Sequence, residues 1–200
     1  MLTIYGDRGS GNCRKVAYVA AHLGLPYTWV DVDIMTGESR TPEFLARNPA
    51  GQVPTVRLAD GRHLAQSNAI MLHLADGSAL VPRDPFERGK MLEWLFWEQC
   101  SHEPAIATTR FHKVYLGRGD DELDPARVKR GHAALALMEA WLARHDWLAG
   151  AGLTLADVGL LAYTRLAPEG GFDLGPYGAV RAWIARTAAA LEVPDLDLKA

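Results

Sequence analysis

Residues 48–70, NPAGQVPTVRLADGRHLAQSNAI, decide how the rest of the chain is read. Val53 to Leu58 and Arg62 to Leu64 read as two strands joined by a turn at Asp60-Gly61, a hairpin. Pro54 stands at the entrance of a strand that should be central, where it removes a ladder donor. One resolution is a cis Val53–Pro54 bond, which leaves the backbone groups of Val53 exposed to an extended, peptide-like ligand. The other is an ordinary trans proline at a strand edge, by far the commoner isomer. Ser67 then reads as the N-cap of a helix running to Leu74. The free N–H groups of such a helix start can bind a carboxylate. A plain cap with no further duty is the competing reading. Gln66 beside it can hold an amine or a carboxylate.

Upstream, short strands alternate with helices. Leu2 to Tyr5 is a strand. Cys13 to Leu23 is helical, with Val16, Val19, Ala20 and Leu23 at helical spacing, and Gly24 and Pro26 stop it. Tyr27 to Val32 alternates like a strand, and Thr41-Pro42-Glu43 opens a short helix. The order βαβαββα predicts a small mixed sheet with helices on both faces. Downstream, residues 77–85 carry Gly, Ser and two prolines without periodicity and read as a linker and domain boundary. The remainder is helical: 86 to about 115 as one long helix kinked at Pro104, then 125–144, 154–166 and 177–191.

Bulk properties narrow the function. The chain has 200 residues and a formal net charge of −3, with no basic stripe that would mark a nucleic-acid partner. No apolar run approaches the roughly 20 residues that span a membrane, and the first residues lack the charged leader and apolar core of a secretory signal. Cys13 and Cys100 cannot make a zinc site alone, and a reducing, cytoplasmic setting is the simplest expectation.

Three features combine: a Ser-x-x-Cys turn in GDRGSGNCRKV (6–16), a Val-Pro before the third strand, and a Gln-Ser opening the third helix. Together with GLPYTWVDVD, TPEFLARNPAGQVPTV, WLFWEQCSHEPAIA and LTLADVGLLAY, they resemble the bacterial cytosolic glutathione transferases of the serine-type or theta/nu-like kind. The resemblance covers nearly the whole chain in order; the closing LEVPDLDLKA departs from it. It implies a thioredoxin-like glutathione-binding domain over 1–76, a linker over 77–85, and an all-helical domain over 86–200 holding an apolar substrate pocket, normally as a homodimer. Glutathione is implied as co-substrate, with no metal, and a small hydrophobic electrophile as its partner.

Residue by residue, the resemblance implies that Val53 before a cis Pro54 pairs its backbone with the cysteinyl part of glutathione. It implies that Gln66 and Ser67 hold the γ-glutamyl end, and that Gln52 and Arg40 reach the glycyl carboxylate. Ser10 occupies the position where a thioredoxin-like redox protein carries its reactive cysteine. A serine cannot form a mixed disulfide, but at a helix N-terminus it can donate a hydrogen bond to the thiolate of a bound thiol. Ser10 acting only as a cap is the alternative, and Asn12, in SGN where relatives read S/T-P-N, is the other candidate for the sulfur contact. Cys13 reads as a small buried core residue. Tyr5 is rejected as the activator, because aligning the Arg-Gly pair puts Ile4 at that position.

In the helical half, Thr154 and Asp157 of TLAD form a capping box. Trp94, Trp97 and Cys100, three apart, read as core packing or a dimer face. Cys100, His102 and His112 make a poor metal constellation. Glu103 is a candidate to reach the partner subunit's ligand, and Phe111 and Tyr115 are candidates for the electrophile pocket. The expected activity is conjugation of glutathione to an electrophile. Glutathione-dependent disulfide or peroxide reduction and a non-catalytic binding or scaffold role are the alternatives.

Overall fold

The structure is a computed structural model that describes residues 1–192; most of the divergent tail LEVPDLDLKA lies outside them. It divides into two compact units, the first comprising Met1–Ser78 with Leu191 at the described end, the second Ala79–Ala190.

The first unit is built on four strands, β1 (Leu2–Gly6), β2 (Tyr27–Asp31), β3 (Thr55–Arg57) and β4 (His63–Ala65), in the order β2-β1-β3-β4. β1 runs parallel to β2 and antiparallel to β3, which pairs with β4 as a hairpin. Ile4 lies opposite both Trp29 and Val56. Successive residues of a strand face opposite sides, and β1 uses both. Ile4 packs with Val16 and Ala20 of α1 (Gly11–His22) and Ile70 of α3 (Ser67–Leu74), while Tyr5 packs with Val32 and with Phe44 of α2 (Pro42–Arg47). Helices therefore cover both faces, in the predicted βαβαββα order. The third strand is shorter than its apolar run suggested, because Gln52 to Pro54 belong to the preceding loop.

The second unit is helical: α4 (Pro85–Trp97), α5 (Glu103–Val114), α6 (Pro125–Leu142), α7 (Leu155–Thr164) and α8 (Gly178–Ala190). The sequence suggested one helix from 86 to 115 bent at Pro104. The chain is indeed helical throughout, but Glu98–His102 widen into a π-helical turn just before the proline, and the Glu103 N–H donates to the Glu98 carbonyl five residues back. The cause is local. Pro104 has no N–H to give to Cys100, and its ring would press on that carbonyl in a regular helix. The stretch 77–85 contains the boundary between the units, and its second part is built into the helical one: Leu80 and Val81 are buried, and the Leu155 N–H donates to the Leu80 carbonyl at 3.0 Å.

Asp157 organises this unit. The capping box read from TLAD is present at the start of α7. Its carboxylate accepts from the Thr154 amide and hydroxyl, both at 3.0 Å, from the Leu148 amide at 3.0 Å and from Trp183 Nε1 at 2.9 Å. Burial pushes the carboxyl pKa up, and these four donors oppose the shift. One side chain thus ties α7, the loop before it and α8. Among the described residues no helix is long and apolar enough to cross a membrane.

Asp157→Ala leaves four buried donors without their acceptor. It is expected to lower the unfolding free energy by about 3 kcal/mol or more, read as a lower urea midpoint by tryptophan fluorescence. A midpoint equal to the parent's would mean that these donors find other partners.

Candidate functional site

In the first unit the candidate residues come from four places: the start of α1, Arg40 just before α2, the loop between α2 and β3, and the start of α3. The loop is shaped by Asn48. Its Nδ2 donates to the Gln52 carbonyl at 2.9 Å and to Thr55 Oγ1 at 3.1 Å, and its Oδ1 accepts from the Ala50 amide at 3.1 Å. Thr55 Oγ1 donates in turn to the Gln52 carbonyl at 3.0 Å. Arg40 Nη1 closes the loop from outside on the Ala50 carbonyl at 2.9 Å. Gly51 sits at φ +60°, and a Cβ there would lie 2.6 Å from Arg40 Nη1 and 2.8 Å from the Ser39 carbonyl, so both conformation and space require glycine.

At the end of this loop the Val53–Pro54 peptide is cis. Neither backbone group of Val53 makes a hydrogen bond among the described residues. Gln52 and Gln66 are exposed, and their side chains meet at 3.4 Å, Nε2 of Gln66 donating to Oε1 of Gln52. Gln66 has φ +70°, a left-handed conformation that costs a non-glycine residue on the order of 1–3 kcal/mol.

The structure corrects the role of Ser67. The N-cap of α3 is Gln66, and Ser67 is the first helical residue. Its hydroxyl does not cap the helix; it donates to Asn12 Oδ1 at 3.0 Å, across 55 residues of sequence. The left-handed turn at Gln66 is what places Ser67 inside the helix.

Ser10 is the N-cap of α1 by backbone geometry, yet its side chain makes no capping bond. Its loop is held by the Ser10 amide on the Asp7 carbonyl, by the Gly9 amide on Asp7 Oδ1, and by Arg14 Nε on the Arg8 carbonyl. The hydroxyl is in hydrogen-bond contact with the thiol of Cys13. Cys13 is fully buried against β1, so closely that a Cβ on Gly6 would fall 2.9 Å from its Sγ. Burial pushes the Cys13 thiol up to about 12, against the opposing pull of Ser10 and the Asp7 amide. It is a packing residue and stays protonated. Tyr5 packs into the α2 face, with the Arg47 guanidinium 4.6 Å above its ring.

In the second unit, Phe111 and Tyr115 stack with ring centroids 5.0 Å apart, both half-buried. Neither lines the cavity of about 330 Å³ found in this unit, which is walled by Trp94, Trp97 and Trp141 with Glu93, Leu137 and Arg144. Of the three residues read as a stripe, Trp94 is buried and meets Trp97 and Trp141 edge-on, whereas Cys100 is exposed. Glu103 is half-buried; Gln99 Nε2 donates to its Oε2 at 2.5 Å and to Glu98 Oε2 at 2.8 Å. Among the described residues no three His, Cys, Asp or Glu side chains are placed to hold a metal ion. The sequence reading missed Asn48 and Gly51. The Asn-Pro and Ala-Gly pairs are turn-forming signals that could have found the loop, though not the side chain that holds it.

The two cysteines are expected to differ sharply toward an aromatic disulfide reagent at pH 8. Cys100 is exposed and reacts. Cys13, about four units below its pKa, holds about one thiolate in ten thousand. One rapid thiol in the native protein and two after denaturation is the expected count; two rapid native thiols would contradict the burial of Cys13.

Comparison with known proteins agrees with this architecture. The family description "Glutathione S-transferase, N-terminal domain" matches residues 9–76, and its C-terminal counterpart matches residues 102–190. A glutathione S-transferase structure from Pseudomonas fluorescens superposes with a TM-score of 0.91 at 45% identity, covering 94% of each chain. A possible glutathione S-transferase from Rhodopseudomonas palustris gives 0.94 at 40% identity, over 100% of this chain and 99% of the other. Glutathione S-transferase 2 of Anopheles gambiae is 31% identical over 189 residues, 92% of this chain and 88% of its own. With a thioredoxin-like unit, a helical unit and relatives matched end to end, the chain belongs to the glutathione S-transferase family.

Proposed function

We propose that this protein binds glutathione in its first unit and transfers it to a small electrophilic, apolar substrate. The observation that carries the reading is Val53, whose backbone N–H and C=O are both without a partner among the described residues. Glutathione is an extended peptide-like molecule, and its cysteinyl segment supplies the complementary pair. Gln66 and Ser67 then hold the γ-glutamyl end, and Gln52 and Arg40 the glycyl carboxylate. The contact of Gln52 with Gln66, and of Ser67 with Asn12, draws these residues into one neighbourhood.

The chemistry is thiolate stabilisation and approximation of two reactants. The Ser10 hydroxyl makes no capping bond and is the proposed donor to the sulfur of glutathione. The N-terminus of α1 adds its dipole. Each unit by which the bound thiol's pKa falls stabilises the thiolate by about 1.4 kcal/mol. Asn12 is held by Ser67 at the same helix start and is the second donor candidate for the sulfur. The protein acts as a cytoplasmic homodimer, with Glu103 toward the partner's ligand and Phe111 and Tyr115 toward the electrophile.

The anchored Asn12 also supports a second reading, glutathione-dependent reduction of a disulfide or peroxide with the same bound thiolate. That reaction needs no protein thiol, so Cys13→Ala retaining full reductase activity is its signature.

Titration with glutathione in two buffers of different ionisation enthalpy near neutral pH is expected to show saturable binding with proton release. Ser10→Ala and Asn12→Ala together are expected to keep binding within a few fold while lowering kcat/KM toward an activated aryl halide by about 100-fold or more. No binding at millimolar glutathione would overturn both enzyme readings and leave a scaffold on this fold. Unchanged activity in the double variant would overturn the roles of Ser10 and Asn12.

A further inference from the structure

Beyond the first unit, one cluster of the helical unit holds charge without neutralising it. His112 lies near the end of α5. Arg118, in the turn that follows, places Nη1 3.5 Å from His112 Nδ1, and Arg127 of α6 places its Nη1 3.4 Å from the same nitrogen. The two guanidinium groups are therefore no more than about 7 Å apart at these atoms. The turn is pinned in place by the Arg118 amide on the His112 carbonyl at 3.0 Å.

Carboxylates are plentiful here, and the neighbouring cations use them. Lys113 pairs with Asp120 at 2.5 Å, Arg110 with Glu169 at 2.6 Å, and Arg130 with Asp124 at 3.9 Å. Glu122 is committed to the Gly119 amide, and Asp124 also caps α6 on the Ala126 amide. Asp121 is exposed and pairs with neither Arg118 nor Arg127. Among the described residues these two arginines have no carboxylate partner at all. They converge instead on one lone pair of an uncharged ring. Because Nδ1 accepts, the ring proton sits on Nε2. Burial and the two flanking guanidinium groups hold the ring below its ordinary pKa.

We propose that Arg118, Arg127 and His112 form a binding site for an oxyanion, a carboxylate or phosphate group seated between the two guanidinium forks. Guanidinium presents its donors in a planar fork that fits such a group, and two forks facing one point supply more donors than an imidazole nitrogen can use. The ion also cancels the repulsion between the arginines. Phe111 stands next to His112, with ring centroids 6.4 Å apart, and stacks on Tyr115, so an aromatic body attached to the anion has rings to lie against. The ligand is either a free inorganic oxyanion or an aryl carboxylate of this kind. Neither case depends on the glutathione reading.

His112 is a built-in reporter. With the guanidinium charges neutralised, protonation of the ring becomes easier and adds one more donor to the anion. The pKa of His112 therefore rises on binding. The experiment follows the ring nitrogens of isotopically labelled histidine by NMR in the full chain, with His112→Gln to assign the resonance among the seven histidines. Inorganic phosphate and benzoate are titrated separately, against chloride at equal ionic strength. The expected result is a saturable His112 shift and an upward pKa change with an oxyanion and not with chloride. Arg118→Ala and Arg127→Ala are each expected to weaken binding at least about tenfold. Tighter binding of phosphate than benzoate identifies an inorganic or phosphoryl ligand; the reverse identifies an aryl carboxylate. The same response to chloride, or an undiminished response in both arginine variants, overturns the site.

Discussion

One hydrogen bond ties two helix starts together. Ser67 Oγ donates to Asn12 Oδ1 at 3.0 Å, joining residues 55 apart in sequence. It can form because α1 and α3 pack on the same face of the sheet, through Val16, Ala20, Val56 and Ile70. That packing is apolar and non-directional; it brings the helices together but does not set where their N-termini fall. The left-handed Gln66 and the Ser67–Asn12 bond supply that precision. The strain at Gln66 is held by a shell that includes the buried Ser67 and Ile70 on one side and the hairpin on the other.

The serine and cysteine of the first turn sit in opposite surroundings. Cys13 lies beneath β1, where a low dielectric disfavours its thiolate. The same burial makes it a fixed hydrogen-bonding partner. Ser10 is half-exposed at the helix start and spends nothing on capping. A reactive cysteine at that position would serve oxidation and reduction. In the proposed reading, a hydroxyl there serves a ligand that brings its own sulfur.

Much of this was legible in the sequence because it rests on local rules. Element order followed from periodicity and from Gly and Pro punctuation, and the Thr154–Asp157 box from its spacing alone. The cis bond at Val53–Pro54 was one of two readings that the residues left open. What was not legible depended on partners distant in sequence. Nothing local in QSN tells whether Ser67 caps α3 or bonds Asn12; the backbone of Gln66 decides it. Asn48 carried no reading of its own, because its role as the clamp on Gln52 and Thr55 appears only with the loop closed. Pro104 predicted a disturbance in the long helix, but the form it takes, a wider turn upstream of the proline, reflects how the chain relieves a missing donor.

Satisfaction of polar groups sets Asp157 and Asn48 apart from Val53 in this molecule. Asp157 is surrounded by four donors, and Asn48 uses both ends of its amide. Groups so fully engaged hold the fold and have nothing left for a ligand. Val53 leaves both backbone groups unengaged, although sheet and loop partners lie on either side of it. A protein pays for open or mismatched polar groups in stability, and a chain that saturates its donors around Asp157 shows that its folding can do so. The unengaged backbone of Val53 is therefore informative: it falls where three separate segments converge, and in the proposed reading the backbone of glutathione supplies both partners.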